Sequence, residues 1–220
     1  MDTGNSGRSD FDPNDYPEHD ERTWNAPLAA EFVERVRKEN PEDLKTLEEW
    51  TTNADDFKIP IRNNKFTPAQ ANKVNDLSRI IDGYQVPENM RAYRAISLKT
   101  FQELMLKGKY FRIGAEFTID EFSSTSMSRS ALRQTVDDFA KYGSIRPVEF
   151  EFFIPVGTNA IPLSMAPPYD LKTGKSQYEF QKEWLLQRGM RIRVLERNEH
   201  PDGKIKIKAL VLDTPTPKEI

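Results

Sequence analysis

The 220-residue chain is predicted to be an α+β domain in which helices come first and a strand-rich core follows. Apolar residues recur at helical spacing before Asp82, while short runs broken by Pro, Gly and Asn take over beyond Pro87. The doubly wound nucleotide folds are excluded by the same order, because strands and helices do not alternate. They are also excluded by the absence of a Gly-x-Gly-x-x-Gly and of a phosphate loop with Gly-Lys-Ser/Thr.

Residues 1–26, rich in Asp, Asn, Gly, Ser and Pro and without periodicity, read as a disordered acidic tail. A helical segment is expected over 27–60. Its first helix runs from Leu28 to about Lys38, with Leu28, Phe32, Val33 and Val36 on one face and Pro27 in the first turn. A second runs from Pro41 to Trp50 with Asn40 as its cap. A third, over 67–82, buries Ala69, Ala71, Val74, Leu77, Ile80 and Ile81 and stops at Gly83. The domain proper spans 61–220. Its expected elements are a strand at Met90–Ile96, a helix at Leu98–Leu106, a strand near Ala115–Thr118 and a helix at Ser130–Tyr142. Further strands are expected at Val148–Ile154, Thr158–Leu163, Tyr178–Leu186, Met190–Arg197 and Ile205–Asp213, the last pair joined by a turn at His200–Gly203.

Composition narrows the chemistry. No apolar run approaches the ~20 residues that cross a bilayer, and residues 1–20 carry neither a basic flank nor an apolar stretch of the secretory kind. The absence of cysteine excludes a disulfide framework, a thiolate nucleophile and cysteine-ligated zinc. Two histidines, His19 and His200, both in polar loop-like sequence, argue against a histidine triad or metal site. Residues 1–56 hold 16 acidic and 6 basic side chains, against 19 and 26 in the remainder. A basic body can steer a dinucleotide, an acidic protein surface or a nucleic acid; a solvated cationic face is the plainer alternative.

Three short patterns carry chemistry. In Glu179-Phe180-Gln181-Lys182-Glu183-Trp184-Leu185-Leu186, a strand period of two puts Gln181 and Glu183 on one side and Phe180, Trp184 and Leu186 on the apolar side. A carboxylate anchored at a strand end suits stabilisation of a developing cation. Arg94 at the end of the first strand offers a planar donor fork suited to a diphosphate. Ser124-Thr125-Ser126 supplies hydroxyls on a second strand. Singly, each pattern also reads as a solvated edge, a surface ion pair or a helix cap.

Together and in this order, they resemble the mono-ADP-ribosyltransferases of the exotoxin type, similar to Rho-modifying exoenzymes and binary-toxin catalytic domains. The resemblance covers about Ile61 to Asp213. It implies helices packed on a mixed or antiparallel two-sheet core and NAD as a consumed co-substrate with no metal. It implies a macromolecular acceptor, protein or RNA/DNA. By this likeness Glu183 is the catalytic glutamate, supported by Ser124. Gln181 recognises or orients the acceptor. Tyr93, Arg94, Ser124, Thr125 and Ser126 bind NAD, and Tyr178 in the loop before Gln181 contacts substrate. Gln rather than Glu at 181 favours an acceptor other than arginine, since an amide cannot deprotonate a guanidinium. The resemblance also implies a bacterial or phage effector or toxin, cytoplasmic or delivered without a classical signal peptide, with room for an antitoxin or immunity protein. A non-catalytic binding or phage structural module of the same fold, or a NAD glycohydrolase using water, are the alternatives.

Overall fold

The computed structural model describes residues 11–19, 24–106, 108, 111–133, 136, 147–163, 169–170, 175–176, 182–201 and 203–220. Among the described residues, a 3-10 turn (Pro13–Asp15) and four α-helices precede the large sheet: α1 (Ala26–Glu39), α2 (Asp43–Thr52), α3 (Asp55–Asn63) and α4 (Pro68–Asp82). α4 begins as its sequence dictates. Thr67 accepts from the Gln70 amide, the Gln70 side chain accepts from the Thr67 amide, and Pro68 occupies the first turn. α2 starts two residues later than a cap at Asn40 would allow, because Asn40 instead closes a turn by accepting from the Asp43 amide. Asp43 is then free to take a bidentate pair from Arg79, at 2.6 and 3.0 Å, which ties α2 to α4. α3 was not legible in the sequence, since Pro60 lies inside it. It forms because Phe57 and Pro60 are buried against the other helices, and it ends at Asn64 in the left-handed region.

The strands are β1 (Met90–Ser97), β2 (Glu116–Ile119), β3 (Ser123–Ser126), β4 (Pro147–Ile154) and β5 (Ala160–Pro162), with α5 (Leu98–Leu106) between the first two. They continue with β6 (Tyr169–Asp170), β7 (Lys175–Ser176), β8 (Glu183–Leu186), β9 (Met190–Glu199) and β10 (Ile205–Asp213). Eight of them form one sheet in the order β2-β9-β10-β4-β1-β3-β8-β5, and β6 and β7 make a separate ribbon. The α+β class is as expected. The large sheet narrows between β1 and β3 to the single pair Tyr93–Ser126, whereas β1 and β4 pair along eight residues. All pairings are antiparallel except β4 with β10.

Two large apolar cores, beside a smaller cluster of Tyr16, Phe153 and Leu210, follow from this layout. One lies along the sheet and contains Met90, Ala92, Phe150, Phe152, Trp184, Leu186, Ile192 and Ile207. The other is built by α1–α4 and receives Phe122, Ile161 and Leu185 from the sheet. β8 lies between them and is buried at all four positions. The expected strand over Tyr178–Leu186 is described only from Glu183, and the expected helix over 130–142 only in part.

Residues 11–19 correct the reading of 1–26 as an unstructured tail. Phe11 and Tyr16 pack edge-on against Phe153, at 5.0 and 5.6 Å between ring centroids, and Arg91 donates to the carbonyls of Pro13 and Tyr16. Acidic, proline-rich composition concealed two aromatic anchors. Phe153→Ala should cost about 3 kcal/mol. A lower Tm, together with faster limited proteolysis between Phe11 and Tyr16, would check both the core and this attachment.

Candidate active site

β3 and β8 bring two of the three patterns together. Their register sets Ser126 opposite Glu183, Thr125 opposite Trp184 and Ser124 opposite Leu185. Directly opposed side chains share a face, so Ser124, Ser126, Leu185 and Glu183 lie on one side and Thr125, Trp184 and Leu186 on the other. Thr125 donates to the Trp184 carbonyl at 2.9 Å and so locks the pair rather than facing Glu183's side. Lys182, immediately before Glu183, has a φ of 47°. That left-handed residue costs on the order of 1 kcal/mol. It lies just before the strand, which begins at Glu183. Gln181 and Tyr178 themselves lie outside the described residues.

Glu183 is 7 % exposed and accepts from the Trp50 indole N–H at 3.4 Å. Ser124, the expected support, stays on the same face but one residue pair away. The Ser126 hydroxyl accepts from the Ser128 amide and so helps start the helical turn after β3.

Arg94 reaches the same neighbourhood from β1. Its side chain is 14 % exposed and stands 3.9 Å from Glu121, which also takes Arg62 of α3 at 2.8 and 3.3 Å. Burial pushes the Arg94 guanidinium down from its ordinary range. Glu121 opposes that shift, Arg62 adds to it, and Glu183 opposes it. Lys58 of α3 completes the cluster, with Nζ 4.9 Å from the centroid of the Trp50 ring. Its pKa falls from 10.5 to about 8, driven first by burial and then by Arg94, with Glu121 and Glu183 partly offsetting both. Three cations and two carboxylates from α3, β1, β8 and the turn before β3 thus share one neighbourhood.

Arg62, Arg94 and Glu121 form the charged end of a cavity of about 720 Å³. Its wall is apolar, with Ile96, Leu104, Phe111, Phe117, Phe150 and Phe152. That volume lies within the range of small-molecule sites, roughly 300–1,000 Å³. Glu183 stands next to this end without lining it. Tyr93 departs from expectation: one residue before Arg94, it points to the opposite face of β1, where its hydroxyl donates to Glu18 at 2.7 Å and accepts from Arg129 at 3.0 Å. Arg62, Lys58 and Trp50 are the residues that the sequence reading missed. The available signal was an Arg four residues after a Lys, which places both on one face of a helix, but Pro60 hid that helix.

With this geometry established, the sequence matches the family described as ADP-ribosyltransferase exoenzyme over residues 21–214. The chain belongs to the ADP-ribosyltransferase exoenzyme family. It is a NAD-dependent ADP-ribosyltransferase, with NAD as substrate and a macromolecule as acceptor. Solved structures share the fold at low identity. Plx2a, an ADP-ribosyltransferase toxin from Paenibacillus larvae, is 17 % identical with a TM-score of 0.68, over 90 % of this chain and 98 % of that one. C3stau2 from S. aureus, solved with NAD, is 20 % identical with a TM-score of 0.64, over 86 % and 94 %. Exoenzyme S from Pseudomonas aeruginosa, in complex with human 14-3-3 protein beta and bound to Carba-NAD, is 16 % identical with a TM-score of 0.59, over 87 % and 84 %. No curated protein matches the sequence significantly.

The Lys58 environment gives a pH signature. Its pKa is 10.5 when unfolded and about 8 when folded, so between those values the unfolded chain binds more protons. The free energy of unfolding therefore gains a contribution that rises with pH across that window. Urea melts at pH 8 and pH 10 should show this rise in the wild type, and Lys58→Met should remove it.

Proposed function

We propose that the protein is an effector or toxin that cleaves NAD at the nicotinamide–ribose bond and transfers ADP-ribose to a protein or nucleic-acid acceptor in a target cell. One observation supports this most directly: Arg62 and Arg94 line an aromatic-walled cavity, with Lys58 and a buried strand-end glutamate in their electrostatic neighbourhood.

The forks of Arg94 and Arg62 suit a diphosphate, which replaces Glu121 as their counter-ion. The aromatic wall suits a ring of the dinucleotide. As the C–N bond breaks, its electron pair leaves with nicotinamide and positive charge grows on the ribosyl carbon. The Glu183 carboxylate stabilises that charge. The acceptor atom then bonds to the same carbon and gives up its proton. Ser124, Thr125 and Ser126 frame the strand pair that carries Glu183, while Gln181 and Tyr178 orient the acceptor. An amide at 181 favours an acceptor other than arginine.

Incubating labelled NAD with a whole-cell extract, followed by separation of protein from nucleic acid, tests this reading. Glu183→Ala should lower nicotinamide release by at least about a hundredfold. Its Kd for NAD should stay within a few-fold of the wild type. Label in protein identifies a polypeptide acceptor, and nuclease-sensitive label a nucleic-acid one. Nicotinamide release with no label in either fraction would replace transfer by hydrolysis. Arg62→Ala should raise KM for NAD about tenfold or more, as loss of a charge-assisted pair does.

A further inference from the structure

We propose that Trp50 is the positioning residue for Glu183: its indole N–H holds the carboxylate at the head of β8 in the orientation that faces the ribosyl centre. The inference rests on the reading of Glu183 as the catalytic carboxylate. Trp50 is 2 % exposed and sits at the end of α2, 133 residues from its partner in sequence. Phe57 and Phe122 meet its ring edge-on at 5.5 and 5.6 Å, and the Lys58 ammonium stands over it at 4.9 Å. An indole confined by these contacts has one polar group to place, and that group points at Oε1 of Glu183.

The indole N–H is a donor only, so it can hold a carboxylate and cannot take its proton. Among the described residues, this is the hydrogen bond that reaches the Glu183 carboxylate. At 3.4 Å it is long for an N–H···O bond. Bonds of this kind tighten when substrate closes the site. Positioning therefore comes from the helical layer, and α2 and α3 become part of the active site rather than a scaffold behind it.

The test uses the full chain and steady-state nicotinamide release. Trp50→Phe keeps an aromatic ring, though a smaller one, and removes the donor. Its kcat should fall about tenfold, the scale of one lost hydrogen bond to a charged group, with KM for NAD within about twofold. Leu47→Val, in the same helix and core, should lower Tm while leaving kcat unchanged, which separates lost positioning from lost packing. If Trp50→Phe does not fold, site-specific replacement of Trp50 by benzothienylalanine removes the N–H from the same outline and should give the same fall. An unchanged kcat in either folded variant, with Glu183→Ala inactive, overturns the inference. A fully active Glu183→Ala overturns the assignment of Glu183 instead.

Discussion

Burial of β8 on both faces is the constraint from which the rest of the structure follows. Trp184 and Leu186 enter one core and Leu185 enters the other, so the four-residue strand cannot be an edge that solvent covers. Burying Leu185 requires α1–α4 to pack on that side of the sheet. That packing in turn delivers Trp50, Lys58 and Arg62 to the end of the strand where Glu183 sits. The apolar side of the strand thereby assembles the polar site.

The charges assembled there leave one cation in excess before any substrate arrives. Arg94 is a cation that burial disfavours, Arg62 reaches in from an exposed position on α3, and Glu121 lies between them. Glu121 thus keeps two forks aimed at one locus. An incoming dianion meets donors already oriented, which lowers the entropy cost of binding.

The N-terminal segment has a structural part in this arrangement. Trp184 is a large residue that is fully buried. Its indole N–H donates to Asn25, buried just ahead of α1, at 2.7 Å. Trp24 stacks on Trp184 and on His19, and Glu18 engages Tyr93 and Arg129 across the sheet. Tyr93 is therefore committed to this attachment and faces away from the cavity that Arg94 lines.

The sequence by itself determined what local periodicity and side-chain chemistry can encode. The α+β order, most strand positions and the extent of α4 up to Gly83 were legible, because each depends on neighbours a few residues away. Tertiary structure decided the rest. α3 exists despite Pro60 because burial of Phe57 outweighs one lost backbone bond. Residues 11–19 are ordered by rings on β4, and a left-handed residue at Lys182 lies just before β8. The partners of Glu183 and Arg94 were the least legible, since Trp50 lies 133 residues from one and Arg62 lies 32 from the other on a helix that local rules do not support. Contacts of that range are selected by which surfaces must be buried together, and no local pattern in the chain records that choice.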